Sequence, residues 1–248
     1  MQSILKKLAK PQKDSKKGDN GKVFIFAGSK KYHGAPALCV LGARRFCDLI
    51  YFMPGDDSPG IAKSMREIPE SIIVDNLQQA DAALYGPGLG NAPSIFDGIR
   101  VNYKKIVVDG DGLRHLDKSD LRGTLITPHE GEFHYLFAME GTKQNVAKMA
   151  KQYECTILKK GPIDIISDGQ TTLESKGGNA GMTKGGTGDV LSGLTVALLA
   201  KNEPLVAAYA ASQITKAAGS ILFKTNSYAF CASDVAEALP LAYKQLIK

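Results

Sequence analysis

Residues 179–200 read NAGMTKGGTGDVLSGLTVALLA, a glycine cluster and an aspartate set directly in front of an apolar run. Val190, Leu191, Leu194, Ala197 and Leu198 recur at helical spacing, and Val196 and Leu199 close the ring. The pattern predicts a helix buried nearly all round, whose start is held rigidly. Gly185, Gly186 and Gly188 flank Thr187 and permit positive φ and close backbone approach, the conditions under which successive N–H groups converge on an anion. At a helix N-terminus the macrodipole adds about half a positive charge. Asp189 then admits two roles. As a first-turn aspartate it stabilises the helix by about 1 kcal/mol. As a base, kept ionised by the dipole, it removes the proton from a hydroxyl aimed at a phosphate in the nest, a contribution of about 10²–10⁴ in rate. Spacing leaves both open, and the three glycines weigh toward phosphoryl transfer.

Upstream of this helix, short β-rich runs alternate with helical patterns. VFIFA (23–27), LIYFM (49–53), SIIV (71–74), DAALY (81–85), IVVD (106–109), TLIT (124–127), TIL (156–158) and IDII (163–166) read as strands. Several are apolar on both faces, as a covered parallel sheet requires. Helices are expected near 36–47, 93–103, 130–138 and 143–152, then at 189–200, 204–223 and 233–247, so the C-terminal third is wholly helical. That order specifies an α/β sandwich. Ligands of open α/β sheets gather beyond the carboxyl ends of the strands. There this chain places GSKKYHGAP, GPGLGN, GDGL and PHEGEF, an edge crowded with glycines, aspartates and a histidine.

Two of these segments imitate other sites. GPGLG, with Asp109 at a later strand end, approaches the dinucleotide fingerprint, but Asn91 stands where the third glycine belongs and Pro87 lacks an N–H. HEGEFH approaches a zincin, but Phe133 occupies the position of the second histidine, and His129 and His134 lie on different sides of a helix. The segment reads better as the first turn of a helix, where Glu130 and Glu132 suit the dipole and His129 faces the crowded edge. No GxxxxGK[ST] motif occurs.

The 248-residue chain is 44% hydrophobic and carries a formal charge of +6, which invites a nucleic-acid reading. Six lysines and one aspartate fall within residues 1–17, however, and leave the remainder nearly neutral. A solvated lysine-rich arm (1–17) before a single domain (18–248) is therefore expected, with no nucleic-acid partner. Four cysteines without a CxxC spacing suit a reducing cytosol. With no run of about 18 apolar residues and no signal-peptide h-region, a cytoplasmic protein without membrane association is expected.

GxGD opening a buried C-terminal helix, in this element order, resembles the ribokinase-like superfamily. A longer match, through KGDNGKVFIFAGS with HGAP, ALYGPGLG, VVDGDGL, LITPHEGEF, LKKGPID, NAGMTKGGTGDVLSG and CASDVAEALP, is similar to the ADP/ATP-dependent NAD(P)H-hydrate dehydratases and covers about residues 17–245. The resemblance implies a three-layer α/β/α sandwich with a mostly parallel central sheet and a helical C-terminal third. It implies an enzyme, a hydro-lyase, that phosphorylates the hydroxyl of hydrated NADH or NADPH from ADP or ATP with Mg²⁺ and lets phosphate leave. Carried over by position, Asp189 is the catalytic base. Ala35, Gly88, His129 and Asp189 become substrate contacts; Lys160, Gly161, Pro162, Ile163, Asp164, Gly186, Thr187 and Gly188 become the adenine-nucleotide site; Glu132 orients magnesium, through water. A homotetramer and a separate NAD(P)HX epimerase are further implications.

The chain departs from the family pattern at Gly110 and Gly112, at Lys16 and Asn20, and at Thr215-Lys216, where a His-Gly pair is frequent. These departures bear on substrate affinity and on the choice between ADP and ATP. Two other functions fit the same residues. A small-alcohol kinase, of hydroxymethylpyrimidine or hydroxyethylthiazole type, would yield a stable phosphorylated product. A nucleotide-binding sensor would bind ADP or ATP without releasing phosphate.

Overall fold

A computed structural model describes residues 2–247. In chain order it forms α1 (Gln2–Leu5), β1 (Lys22–Ala27), α2 (Gly34–Ala43), β2 (Leu49–Pro54), α3 (Pro59–Arg66), β3 (Ser71–Ile73), β4 (Ala82–Tyr85), α4 (Phe96–Asn102) and β5 (Ile106–Val108). After 3-10 turns at Gly110–Arg114 and Lys118–Leu121 come β6 (Thr124–Ile126), α5 (Glu130–Phe137), α6 (Lys143–Gln152), β7 (Thr156–Lys159), β8 (Asp164–Ser167) and β9 (Thr172–Ser175). A 3-10 turn at Ala180–Thr183 leads into α7 (Thr187–Leu199), α8 (Pro204–Asn226) and α9 (Ala232–Leu246).

The nine strands form one sheet in the order β3-β2-β1-β4-β5-β6-β7-β8-β9. Pairing is parallel as far as β7, while β8 and β9 close the sheet as an antiparallel ribbon. Alternation within each strand builds two cores. Val23, Ile25, Leu84, Val107, Leu125 and Leu158 face the layer of α2, α7, α8 and α9. Phe24, Phe26, Tyr85, Val108, Ile126 and Ile157 face the layer of α4, α5 and α6. The expected three-layer α/β/α sandwich is what forms.

All eight expected strands are present. Helix α3 was not foreseen, because Pro59-Gly60 looks like a loop; Pro59 instead occupies the first helical turn, where its missing N–H costs nothing. Strand β9 was also missed, being a half-buried edge strand whose TLES has no apolar alternation. In the lysine-rich segment all six lysines are exposed, yet Leu5 and Leu8 are buried against the α2/α7/α8/α9 core and the Ala9 N–H donates to Asn202 Oδ1 at 2.8 Å. Among the described residues no helix is long and apolar enough to cross a membrane.

Helices α2 and α7 pack backbone against backbone. A Cβ on Gly42 would lie 2.3 Å from the Val190 carbonyl oxygen, and one on Gly193 would lie 2.0 Å from that of Cys39. Only hydrogen fits at either position. Gly193→Ala is therefore expected to force the helices apart at a cost of about 1–3 kcal/mol or more, which for this chain length lowers Tm by roughly 2–4 °C per kcal/mol. Gly34→Ala, whose Cβ would meet nothing within 4 Å, should leave Tm unchanged when the two are compared by circular dichroism.

Candidate functional site

Strand order reverses between β1 and β4, since the chain runs outward through β2 and β3 and then returns to the other side of β1. Crevices at such points bind ligands in open α/β sheets. Here the Gly28 N–H donates to the Pro87 carbonyl at 2.8 Å and joins the two loops. The GPGLG turn does not open a helix, because α4 begins only at Phe96. Instead Asp111 Oδ2 accepts from the Gly90 N–H at 2.8 Å and ties the turn to the β5 loop. Gly88 (φ +65°) lies against Ala35, whose Cβ would be 2.7 Å from a Cβ placed there.

A cavity of about 250 Å³ opens on this crevice, lined by Ala35, Gly88, Asp111, Arg114, Glu132 and Asp189, among others. A second, of about 600 Å³, lies on the other side of the α7 N-terminus. Lys160, Gly161, Pro162 and Asp164 line one wall and Thr187 and Gly188 another. Its size and carbon-rich walls, including Met182 and Leu191, suit a mononucleotide. His129 lines this larger cavity rather than the smaller one. Ile163 is exposed and lines neither, and the half-buried Gly186 (φ +93°) caps α7 and also lines neither, its Cβ position blocked by Leu38 at 2.3 Å.

The start of α7 keeps its donors free. Thr187 Oγ1 donates to the carbonyls of Met182 and Lys184, at 2.8 and 3.0 Å, and so fixes the preceding turn. Among the described residues no acceptor lies within hydrogen-bond reach of the Gly188 and Asp189 N–H groups. Lys160 Nζ stands beside them, 3.6 Å from a Cβ built on Gly188, and is itself held by Asp109 Oδ1 at 2.7 Å and Glu132 Oε2 at 3.7 Å. Burial disfavours its charge, but Asp109, Glu132 and Asp189 together raise its pKa above the usual lysine value. Asp109, the acid of the imitation dinucleotide fingerprint, is thus the buried anchor of a cation.

The expectation that the dipole keeps Asp189 fully ionised meets stronger opposition. Burial, then Asp109, then Asp111 and Glu132 raise its pKa to about 7, and Lys160 offsets only part of this. A carboxylate with that pKa is a far stronger base than a solvated one and is still half ionised near neutrality.

Glu132 is already engaged. Its Oε2 accepts from the His129 N–H at 2.8 Å, and His129 Nδ1 accepts from the Glu132 N–H at 3.1 Å, a reciprocal cap on α5. No cluster of three His, Cys, Asp or Glu able to hold a metal occurs among the described residues. Glu132 stands there as a carboxylate beside Lys160, 3.7 Å from its Nζ.

Sequence patterns gave no signal for the frame beneath the larger cavity. Lys216 Nζ contacts Asp164 Oδ1 at 3.2 Å and donates to the carbonyls of Gly161 and Pro162 at 3.0 and 3.2 Å, and Ser212 donates to Asp164 Oδ2 at 2.6 Å. Both ions are buried, and they lock the 160–164 loop. Thr215, one residue earlier, lines the same cavity with a buried hydroxyl that has no partner. Thr215 and Lys216 are noticeable in the sequence only as departures from the family pattern.

A mostly parallel sheet between two helical layers, with a glycine-opened buried helix beside a carboxylate raised toward neutrality, has the ribokinase-like fold, shared with an Enterococcus faecalis ribokinase-like superfamily protein at a TM-score of 0.87 and 24% identity, over 99% of this chain and 95% of that one. More narrowly, residues 23–241 match the family model for NAD(P)H-hydrate dehydratase, and the chain belongs to that family. It is 34% identical to the ADP-dependent (S)-NAD(P)H-hydrate dehydratase of Cenarchaeum symbiosum, over 94% of this chain and 92% of that protein. It is 32% identical to the bifunctional NAD(P)H-hydrate repair enzyme of Methanocaldococcus jannaschii, over 97% of this chain but only 51% of that one. The chain thus spans nearly all of the first relative and about half of the second. The Bacillus subtilis ADP/ATP-dependent NAD(P)H-hydrate dehydratase, crystallised with ATP and Mg²⁺, shares the fold with a TM-score of 0.84 at 20% identity, over 99% of this chain and 97% of that one.

The raised pKa of Asp189 also bears on stability. The folded-state value of about 7 exceeds the unfolded value of about 3.9, so folded protein holds the extra proton between them. Stability contributed by this group therefore falls as pH rises from about 4 to about 7 and stays low above that. Asp189→Asn should be more stable than the parent above pH 7, by about 1–4 kcal/mol, and equal to it below pH 4. Thermal unfolding without ligands across that range checks the sign.

Proposed function

We propose that the chain repairs hydrated NADH or NADPH by phosphorylating the hydrate hydroxyl from ADP or ATP and eliminating phosphate. The observation that carries this reading is the placement of the α7 start between two cavities, Thr187 and Gly188 lining the one sized for a nucleotide donor and Asp189 the one at the strand-order reversal. In the smaller cavity, Ala35 and Gly88 present a flat surface to the nicotinamide ring, and Asp189 faces its hydroxyl. In the larger, Lys160 to Asp164 and the start of α7 receive the donor, its terminal phosphate against Lys160 and the free N–H groups of Gly188 and Asp189. His129 belongs to the donor side of this arrangement.

The chemistry is consistent with these groups. Asp189 takes the hydroxyl proton as the oxygen attacks the terminal phosphorus, and AMP or ADP departs. Hydroxide is a poor leaving group and phosphate a good one. The C–O bond then breaks with its electron pair on phosphate, the ring nitrogen pushes in behind it, and loss of a proton from the neighbouring carbon restores the ring double bond. Backbone N–H groups and the Lys160 ammonium stabilise charge on the transferring group without reorganisation, because α7 is buried and Lys160 is anchored by Asp109. Mg²⁺, bound through the donor phosphates and water on Glu132, would neutralise part of the phosphate charge. Within a cell, a cytoplasmic homotetramer working beside a separate epimerase fits this role; bifunctionality of the archaeal relatives supports the pairing of the two activities.

Recovery of the reduced-nicotinamide absorbance band from hydrated NADH, with Mg²⁺ and either ADP or ATP, tests the reading. Asp189→Asn should bind nucleotide as the parent does and lose about 10²–10⁴ in turnover; parental turnover would refute the role of the base. Lys160→Met removes the one cation that lowers the Asp189 pKa, so the acid limb of its kcat/KM profile should move above pH 7, beyond that of the parent.

A further inference from the structure

The smaller cavity poses an electrostatic problem that the reading above leaves open. Asp111, Glu132 and Asp189 all line it, yet a dinucleotide hydrate brings a pyrophosphate with two negative charges. Three carboxylates repel such a ligand unless its phosphates lie away from them and meet cations elsewhere.

Two cations at the rim satisfy that condition. Arg114 is the only Lys or Arg among the residues lining the cavity. It is exposed, and no carboxylate of the described residues lies within 4 Å of it. Its guanidinium stands over the Tyr135 ring, 5.9 Å from the centroid. Tyr32, which also lines the cavity, carries Lys31 Nζ over its ring at 5.0 Å, and Lys31 too has no ion-pair partner among the described residues. Both tyrosines are otherwise unexplained large side chains on the surface, 63% and 43% exposed. The Arg114 segment is held firmly: the neighbouring His115 Nδ1 lies 2.7 Å from the buried Tyr85 hydroxyl, and Asp111 grips the GPGLG turn.

We propose that Arg114, supported on Tyr135, and Lys31, supported on Tyr32, form a pyrophosphate clamp at the mouth of the smaller cavity. The clamp rests on the repair reading. It sets the direction of the substrate, with the uncharged nicotinamide hydrate on the acidic floor beside Asp189 and the phosphates outside between two cations. A cation held over an aromatic face loses less freedom on binding than one on a free surface, and the planar Arg114 fork suits a phosphate better than lysine does. These are positioning residues, because they act on the far end of the substrate.

Arg114→Gln is expected to raise KM for hydrated NADH roughly three- to tenfold with kcat held within about twofold, the pattern of binding shared by ground and transition states. Arg114→Lys should recover part of the loss, and Lys31→Met should add a smaller one. Hydrated reduced nicotinamide riboside, which has no phosphate, should be turned over equally by parent and variant, and the Kd of ADP at the donor cavity should not change. The Kd of intact NADH, measured by its fluorescence, should rise in Arg114→Gln by the same factor and depend less on salt. That binding arm needs no turnover, so failure of the repair reading is seen separately, as an inactive parent. An equal loss on the riboside, a matching loss of ADP affinity, or an unchanged Kd for NADH would each overturn the clamp.

Discussion

The reciprocal contact between α2 and α7 is the constraint on which the site depends. Gly42 admits the Val190 carbonyl and Gly193 admits that of Cys39, so the two helix backbones touch without side chains between them. Asp189 immediately precedes Val190, and Ala35 lies in the first turn of α2. The distance between the base and the surface it faces is therefore set by backbone packing in the core, where density leaves little freedom. A methyl group at Gly193 would act on the active cavity without being part of it.

Charge placement follows from that geometry. Asp189, Asp109, Asp111 and Glu132 converge because the end of β5 and the starts of α5 and α7 meet at one point, and the three neighbouring carboxylates together with burial make Asp189 harder to ionise. Lys160 relieves this and is in turn raised by the same carboxylates. The outcome is a carboxyl that titrates near neutrality beside a cation that stays charged, the two states that the proposed transfer of a proton and a phosphoryl group requires. The cost falls on folding, since an ionised half-buried Asp189 destabilises the ligand-free protein.

Much of the fold was legible in the sequence because several strands are apolar on both faces and several strand ends run into glycines, as with VFIFA before Gly28 and DAALY before Gly86. The elements that escaped lacked such marks: α3 hides behind a Pro-Gly pair that usually signals a turn, and TLES of β9 has only one buried residue. Residues joined by a local motif were readable as a helix start, as in GGTGD at the head of α7. Residues joined through space were not. Asp109 and Lys160 are 51 positions apart and Asp164 and Ser212 are 48, so no spacing rule connects them. Nor did the sequence show that His129 Nδ1 caps α5 while the residue borders the larger cavity.

The position of Thr215 and Lys216 shows how a buried lysine can be absorbed. A lysine beneath a nucleotide loop would be costly as an isolated charge. Asp164 already faces that spot, bonded to the Gly161 N–H at 2.8 Å and to Ser212. Lys216 completes the set by neutralising Asp164 and donating to two loop carbonyls, so the 160–164 loop is fixed before any donor arrives. The charge is thereby consumed internally, which leaves Lys160 and the free N–H groups at the α7 start as the positive ends beside the cavity. Lys216 thus stiffens one wall of the larger cavity from beneath, without entering the start of α7.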